Sequence, residues 1–459
     1  MRTTPKRFVK TFVVLTIFGF VVMNMSLFMT SERDTSSNVF VMQQPGGAAV
    51  LSSSSSHRPN VALGSVTVHA PNISHITSNK SALHGSASRY VRIGANVTAI
   101  KAYIAWVNSH QPIYNLDRFD LRSSDNTIVI VVQVHSRIDY LRYLIDSLRK
   151  ARFIEQALLV FSHDYFDDDI NELIASIDFC LTMQIFYPHS IQLYPNVFPG
   201  TDPADCARNT NRAQAIKSQC LNAAYPDKYG HYREAKYSQT KHHWFWKINF
   251  VFDRMEVTRP FNGPVLLLEE DHYVTEDFIY ILLKMYRMKH NECKDCSIFT
   301  IGLYVKKLTY GAESSQVETV FWQSTKHNMG MSFNRDVWKL IRNCSKSFCE
   351  FDDYNWDWSL QYITMTCMSQ RLKVMTVKSP RVHHIGECGI HHKGKNCDPA
   401  VKVHQIENLL KASAGNLFPP QLTVTGNRAA PKRLPKQNGG WGDIRDHKLC
   451  LSFASAPPR

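Results

Sequence analysis

The chain lacks the glycine-rich patterns with which many proteins bind phosphate groups. No GxGxxG follows the first predicted strand, and no GxxxxGK[ST] occurs anywhere in the 459 residues. Neither a dinucleotide-binding fold nor a P-loop therefore fits, and a bound nucleotide must be held by other groups. An internal repeat is missing as well.

The sequence also disfavours a nucleic-acid-binding protein and a zinc ribbon. The formal net charge is +14, but the basic residues form no patch interleaved with aromatic residues, which argues against a nucleic-acid partner. The charge suits an anionic nucleotide donor instead. Cys293 and Cys296 form a lone CxxC. Without a second such pair a zinc ribbon is disfavoured, and a short-loop disulfide is favoured over a redox motif.

The N-terminal end has a long stretch without charge. No charged residue occurs from position 11 to 31, and four basic residues precede this apolar run: Arg2, Lys6, Arg7 and Lys10. Such a run can cross a bilayer, and the positive-inside bias places the bulk of the chain in a lumen. We predict a cytoplasmic tail at 1–10 and a transmembrane signal anchor at 11–29, with a cleaved signal peptide as the alternative.

Between the anchor and the body, residues 30–125 are rich in Ser, Asn, Gly and Pro, which predicts a lumenal stem. Apolar residues between Val91 and Ile113 indicate a helix that docks on the body. The body itself is the predicted catalytic domain at 126–459. Glycosylation sequons begin at Asn72, Asn79, Asn96 and Asn343.

Eleven cysteines all lie beyond the predicted anchor, where an oxidising compartment would pair most of them. Because the number is odd, at least one thiol stays free. Cys180 is the candidate, since it is far in sequence from its neighbours.

The body opens with two strand-helix units. Thr127–Val134 is a β-branched run followed by a helical pattern through Leu148, and Ala157–Phe161 is followed by a helix near Ile170–Ile177. Two such units in series predict an α/β fold with a parallel sheet. The ends of both strands would share one rim, where Arg137 suits phosphate charge and Asp164 suits ribose or base hydrogen bonds.

A third apolar run, Val265–Leu268, leads directly into Glu269, Glu270, Asp271 and His272. Ligands of open α/β sheets bind beyond the carboxyl ends of such buried strands, so this cluster is placed to hold a metal ion and a nucleotide. Asp271 would ligate the metal, and Glu269 and Glu270 would line the nucleotide or acceptor site. A solvated acidic turn is the alternative.

Two segments rich in histidine allow more than one interpretation. His384 and its neighbours could form a zinc site with Cys388 and Cys397, or the cysteines could pair and leave one histidine for the catalytic metal. Lys241-His242-His243 lies in an apolar helical pattern and could contact a donor or belong to a buried helix.

Several segments closely resemble the N-acetylglucosaminyltransferase II family of the Golgi. They are Gln133–Arg137, His231–Lys247, Leu268–Tyr273, Asp352–Trp358 and Asn438–Asp446. The resemblance implies a GT-A fold, a mostly parallel Rossmann-like sheet flanked by helices. It also implies UDP-N-acetylglucosamine as donor, Mn2+ as cofactor, inversion at the anomeric carbon, and a single-pass type II protein of the Golgi membrane. The implied acceptor is the mannose O2 hydroxyl on the alpha-1,6 arm of an N-glycan already extended on its other arm.

Matching positions assign the donor and metal residues. The metal ligands would be Asp271 and His384. The UDP-sugar would contact Gln133, Val134, His135, Ser136, Arg137, Asp164, Gln239, Thr240, Lys241, His242 and His243. Where the family has a basic donor contact after Tyr304, this chain has Leu308.

The resemblance also implies five disulfides. They are Cys206–Cys220, Cys293–Cys296, Cys344–Cys367, Cys349–Cys450 and Cys388–Cys397.

Transfer to a sugar hydroxyl requires a general base and an electrophilic metal. We assign the base to Asp357. Tyr354, Asn355 and Trp356 would bind the acceptor, with the rings stacked on sugar faces. The alternative is core packing at the start of a helix capped by Asp352 or Asp353. The sequence leaves open whether the protein forms a homo-oligomer.

Two other functions use the same residues. A catalytically inactive glycan-binding protein would employ the aromatic residues alone, although no predicted catalytic carboxylate is missing. A nucleotide-sugar hydrolase would use water in place of the acceptor.

Overall fold

The computed structural model describes residues 90–120, 127–304, 308–386, 398–427 and 436–455. All of them lie within the compact unit His84–Arg459. Among them, no helix combines the length and the apolar character needed to cross a membrane. The predicted anchor at 11–29 and the pair Cys388–Cys397 lie outside the described residues.

The structure alternates helices and strands along the chain. The helices are α1 Val97–His110, α2 Ile138–Lys150, α3 Asp168–Ala175, α4 Arg212–Ser218, α5 Ala235–Asn249, α6 Phe278–Glu292, α7 Ser324–His327, α8 Arg335–Asn343, α9 Ser345–Glu350, α10 Trp356–Thr366, α11 Pro399–Ala412 and α12 Ile444–Ser455. The strands are β1 Ile113–Tyr114, β2 Ile128–Val134, β3 Ala157–His163, β4 Leu181–Phe186, β5 Val265–Glu269, β6 His272–Val274, β7 Cys296–Thr300, β8 Gln316–Phe321, β9 Met331–Phe333, β10 Lys373–Val377, β11 Val382–His384 and β12 Thr423–Asn427.

Ten strands form one sheet in the order β1-β4-β3-β2-β5-β9-β7-β10-β8-β12. The block β4-β3-β2-β5 is parallel throughout, which confirms the parallel sheet predicted from the two strand-helix units. Beyond β5, parallel and antiparallel pairs are mixed. The fold is therefore a mixed α/β architecture around a large sheet.

The β-branched run of β2 lies at the centre of this sheet. Val129 and Val131 pack into the core on one face, and Ile128, Ile130 and Val132 pack into the core on the other. Successive strand residues point to opposite faces, so a run that is apolar at every position is buried on both. This burial, at about 1.5–3 kcal/mol per large apolar side chain, holds the strand ends of the site in place.

The helix predicted near the end of the stem is α1, and it packs on the body. Asn96 caps it by accepting a hydrogen bond from the amide of Ala99 at 3.0 Å. Ile100, Ile104 and Val107 form a cluster with one residue after β3, the last residue of β4 and one residue after β4: Phe166, Phe186 and Leu193. The side chain of Asn108 also exchanges two hydrogen bonds with the backbone of Phe186, at 2.7 and 2.9 Å.

Four disulfides are present in the described residues, with the pairing that the resemblance implies. They are Cys206–Cys220, Cys293–Cys296, Cys344–Cys367 and Cys349–Cys450. Cys180 is a buried free thiol directly before β4.

Candidate active site

The parallel block brings the predicted strand-end residues onto one rim. Gln133 pairs in register with Ser162 of β3 and with Glu269 of β5. The amide of Glu270 donates to the carbonyl of Gln133 at 2.9 Å. We call Gln133–Arg137, Asp164 and Glu269–Asp271 the donor rim.

The acidic turn after β5 is joined to a distant segment by the small sheet β6-β11. This sheet pairs His272 with His384, and His384 Nε2 lies 3.1 Å from Asp271 Oδ2. Two predicted metal ligands more than a hundred positions apart are therefore in contact.

The surroundings of Asp271 fit a divalent metal ion. Its Oδ1 is buried without a hydrogen-bond partner, and a Cβ added at Gly386 would come within 2.3 Å of Oδ2. Burial would raise the pKa of Asp271, but the hydrogen bond with His384 and the charge of Arg137 outweigh it and lower that pKa. An ionised carboxylate with an unsatisfied oxygen beside an imidazole is a donor set for Mn2+-like ions.

Glu269, Asp271 and His272 also place ligand atoms within 4.8 Å of one another. His272 Nδ1, however, accepts a hydrogen bond from the amide of Glu269 at 3.0 Å. The neutral ring then carries its proton on Nε2. This tautomer favours Asp271 and His384 as ligands over His272.

Glu270 fixes the loop that follows β2. One carboxylate oxygen accepts from the amide of His135 and the other from Nε of Arg137, both at 2.6 Å. Arg137 also places Nη1 2.9 Å from Asp271 Oδ2. The guanidinium thus lies between two carboxylates at the rim.

Asp164 is the centre of a second polar network. Its carboxylate lies 2.6 Å from His135 Nδ1 and accepts a hydrogen bond from Gln239 Nε2 at 3.1 Å. Although burial raises the pKa of Asp164, the charges of His243 and His135 lower it more. Asp164 is therefore ionised and oriented at the rim.

The consecutive residues Ser162, His163 and Asp164 do not form a catalytic triad in the structure. His163 stacks on Phe186 with 4.5 Å between ring centroids. Ser162 is instead hydrogen-bonded to His243 Nε2 at 2.8 Å, and His243 Nδ1 lies 3.4 Å from Asp164. Because Ser162 and His243 have no exposed surface, this arrangement supports the rim and offers no accessible nucleophile.

Helix α5 turns two of its sides toward different parts of the site. Gln239, His243 and Lys247 recur every fourth residue and contact the strand ends. Lys247 is buried and donates to Gln133 Oε1 at 2.7 Å. The sequence interpretation missed Lys247, although its spacing from Gln239 and His243 is a signal that could have identified it.

The other predicted donor residues of α5 bond away from the rim. Lys241 Nζ donates to the carbonyls of Phe351 and Asp353, and His242 Nε2 lies 3.0 Å from Asp446. Both side chains are buried, as in the alternative of a buried helix. Their predicted contact with a donor stays a prediction.

Three remaining donor candidates differ in exposure. Val134 is fully buried and contributes its carbonyl, which accepts from the amide of Asp164 at 3.2 Å. Ser136 is exposed at the rim, and Thr240 is partly buried.

Asp357 lies in the first turn of α10. Its carboxylate accepts hydrogen bonds from the amide of Trp358 at 2.9 Å and from Asn328 Nδ2 at 3.1 Å. Burial raises the pKa of Asp357 to about 7, helped by the negative charges of Asp353 and Glu269. A carboxylate with a pKa near neutrality is suited to general-base catalysis.

The aromatic residues beside Asp357 have different roles. Trp356 is 8% exposed and stacks on Trp244 with 4.5 Å between ring centroids. This is the core packing that the alternative interpretation expected. Of the two aromatic residues, only Tyr354 is then a candidate for stacking on a sugar.

Helix α10 begins after Asn355, whose side chain makes no capping bond. The predicted caps Asp352 and Asp353 therefore do not cap this helix.

A cavity of about 440 Å³ opens beside Tyr354. The ring of Tyr354 lies 4.9 Å from that of Tyr237, centroid to centroid. Arg208, His231 and Asn438 also line this space. Aromatic rings beside charged and amide groups are a lining that could hold a polar ligand.

The C-terminal segment closes this side of the site. The indole of Trp441 donates to the carbonyl of Cys349 at 2.7 Å, next to the disulfide with Cys450. Asp446 is buried between Arg233 at 2.8 Å and His242 at 3.0 Å. The amide of Trp441 also donates to Asp352 at 3.1 Å, so the C-terminal segment holds the residues that precede Asp357.

Comparisons with known proteins agree with these observations. A family model described as N-acetylglucosaminyltransferase II (MGAT2) matches residues 101–450. The alpha-1,6-mannosyl-glycoprotein 2-beta-N-acetylglucosaminyltransferase of Sus scrofa is 46% identical over 353 residues, 77% of this chain and 79% of that protein. The protein of the same name from Homo sapiens is 45% identical over 354 residues, 77% of this chain and 79% of that protein.

A solved structure of S. aureus TarS in complex with UDP-GlcNAc aligns with 71% of each chain at 9% identity and a TM-score of 0.31. A structural likeness at this level carries no argument about the family or the function of this chain.

Proposed function

This chain belongs to the N-acetylglucosaminyltransferase II family, and we propose that it transfers N-acetylglucosamine from UDP-N-acetylglucosamine to an N-glycan. The acceptor group is the O2 hydroxyl of the mannose on the alpha-1,6 arm, and the new linkage is beta-1,2. The family match from 101 to 450 supports this reaction. The observation that carries the mechanism is Asp357, a carboxylate held by the amide of Trp358 and by Asn328. Burial and nearby negative charge raise its pKa to about 7.

On the donor side, we assign the metal to Asp271 and His384. Mn2+ bound there would neutralise charge on the departing UDP. Arg137 faces the same region and would orient the diphosphate. Asp164, held by His135 and Gln239, would accept hydrogen bonds from the ribose or the base. The likeness to the family supports a GT-A arrangement of these parts.

On the acceptor side, Asp357 would remove the proton from the mannose O2 hydroxyl as the new bond forms. Its own hydrogen bonds with Asn328 and with the amide of Trp358 fix the direction of the carboxylate. Tyr354 and Asn355 would hold the glycan over the adjacent cavity and exclude water. Attack from this side, opposite the departing UDP, gives inversion at the anomeric carbon.

We place the body in the lumen of the Golgi, behind the anchor at 11–29. The uncharged N-terminal run and its preceding basic residues support this orientation. The four disulfides also favour an oxidising compartment. Protease protection of the body in intact vesicles, lost on adding detergent, is the expected result. Digestion without detergent would contradict the orientation.

The reaction is tested by incubating a secreted form, from residue 90 onward, with Mn2+, UDP-N-acetylglucosamine and an N-glycan that carries N-acetylglucosamine on its alpha-1,3 arm. We expect one added sugar, beta-1,2-linked on the alpha-1,6 arm by NMR, and no product with a chelator. UDP binding without transfer would indicate a glycan-binding protein. Release of free sugar alone would indicate a hydrolase.

A further inference from the structure

Helix α5 contacts the two halves of the site through different residues. Gln239, His243 and Lys247 reach the donor rim. Lys241 is two positions after Gln239, so its side chain leaves the helix in a different direction. It points to the segment Phe351–Asn355, which we call the acceptor loop.

Lys241 is enclosed by partners of the acceptor side. It has no exposed surface, and Nζ donates to the carbonyls of Phe351 and Asp353, both at 3.0 Å. The same atom lies 4.2 Å from the ring centroid of Trp441. Two carbonyl acceptors and an aromatic face offset the cost of burying an amine, and they hold the side chain in one position.

The acceptor loop is held from its other side by the C-terminal segment. The carboxylate of Asp353 accepts from the amide of Asn438 at 2.8 Å, and that of Asp352 accepts from the amide of Trp441 at 3.1 Å. The loop carbonyls therefore bond to α5 in the interior, while its carboxylates bond to a different segment. Lys241 is the interior half of this attachment.

The acceptor loop leads directly into α10, the helix that carries Asp357. Helix α10 begins at Trp356, which stacks on Trp244 of α5, three residues after Lys241. Lys241 and Trp244 together set both the loop and the first turn, and Asp357 is the second residue of that turn. A shift of the loop would therefore move the carboxylate that must reach the acceptor hydroxyl.

We propose that Lys241 is a positioning residue for the acceptor and for Asp357, and that it makes no contact with the donor. The inference rests on the proposed function, in which Asp357 is the general base. A displacement of about 1 Å between reacting groups can cost about 100-fold in rate. The effect of losing Lys241 should fall on acceptor binding and on the chemical step.

The test compares two buried lysines of the same helix. Lys241→Met keeps the length of the side chain and removes its donors. We expect kcat to fall about 100-fold and KM for the glycan to rise, while the Kd for UDP with Mn2+, measured by calorimetry, is unchanged. Lys247→Met, on the donor side of α5, should instead weaken UDP binding with KM for the glycan retained.

Retained UDP affinity also shows that the Lys241→Met protein is folded. If that variant does not fold, Lys241→Arg carries the test, because its larger guanidinium displaces the two carbonyls without leaving them unpaired. A fall in kcat with unchanged UDP affinity in this variant supports the proposal.

Other outcomes overturn it. Loss of UDP affinity with an unchanged KM for the glycan, or unchanged kcat in the tested Lys241 variant, would show that Lys241 does not position the base. If the unchanged chain binds UDP but transfers no sugar, the proposed function fails and this inference falls with it. If the unchanged chain transfers sugar and only the variants disagree, the inference alone falls.

Discussion

The donor and acceptor halves of the site are built in different ways. The donor rim is carried by the ends of adjacent parallel strands: Gln133 and Val134 are the last two residues of β2, and residues 135–137 follow it directly. The acceptor loop lies outside the sheet and is held by Lys241, by residues 438–441 and by the disulfide Cys349–Cys450. The rim residues are placed by strand ends of one sheet, whereas the acceptor loop is placed by contacts with distant segments outside the sheet.

This difference predicts that the halves can be damaged separately. Changes at the rim should alter metal and UDP binding, whereas changes around the acceptor loop should alter glycan binding and the chemical step. The variants below test that separation, beginning with the largest expected effect.

Replacing Asp357 by Asn removes the base and keeps the shape of the side chain. We expect kcat to fall about 100- to 10,000-fold, with UDP affinity retained because Asp357 lies on α10 and not on the rim. Steady-state kinetics together with calorimetry measure both quantities. Substantial transfer by this variant would assign the base to another residue.

Replacing Asp271 by Ala should abolish the Mn2+-dependent binding of UDP, since this carboxylate provides the buried oxygen without a partner. The matched control is His272→Asn, in which the amide oxygen can still accept from the amide of Glu269. Mn2+ binding by electron paramagnetic resonance should be lost in the first variant and kept in the second. The reverse pattern would make His272 the ligand.

Removing the disulfide with Cys349→Ser and Cys450→Ser should lower the free energy of unfolding by about 2–4 kcal/mol. It should also raise KM for the glycan, because the bridge fixes the segment beside the acceptor loop. Thermal unfolding and kinetics give the two values. The control is loss of Cys293–Cys296, which lies between α6 and β7 and should leave KM unchanged.

The smallest effect is expected where α1 docks. Asp168 accepts from the hydroxyl of Tyr90 at 2.6 Å and from the amides of Ile93 and Gly94 at 2.9 and 2.8 Å. Asp168→Asn leaves one acceptor oxygen and should destabilise the protein by about 1–3 kcal/mol. Chemical denaturation checks this, and kinetics near those of the unchanged chain should accompany it. A large loss of kcat would contradict the assigned role.

The sequence predicted which strand-end residues meet at the donor rim, because the signals for buried strands and their ends are local. An apolar run such as Val265–Leu268 indicates a strand buried on both faces, and the sharp change to Glu269 marks its end. The rim then follows from the rule that parallel strands end at the same edge of the sheet. Lys247 was not predicted as a site residue, because it lies in an apolar helical pattern and its contact with Gln133 depends on the packing of α5 against β2.

The acceptor half could not be worked out in the same way. Trp356 was expected to face a sugar, but its ring packs on Trp244, more than a hundred positions earlier. Whether an aromatic residue faces the core or a cavity depends on such distant partners, which periodicity does not record. The resemblance to the family identified the segment Asp352–Trp358, and only the structure shows which of its side chains are packed in the core.

The pH dependence of transfer shows whether Asp357 is the general base, because it reports the protonation of this carboxylate. Its pKa is raised to about 7, and a base must be deprotonated to act. We therefore expect kcat/KM for the glycan to fall about tenfold per pH unit below that value. Above it the rate is constant, and Asp357→Asn loses this dependence. UDP affinity measured at each pH removes any titration on the donor side. A rate that stays constant through neutral pH into acid, with UDP bound throughout, would contradict the assignment of Asp357 as the base.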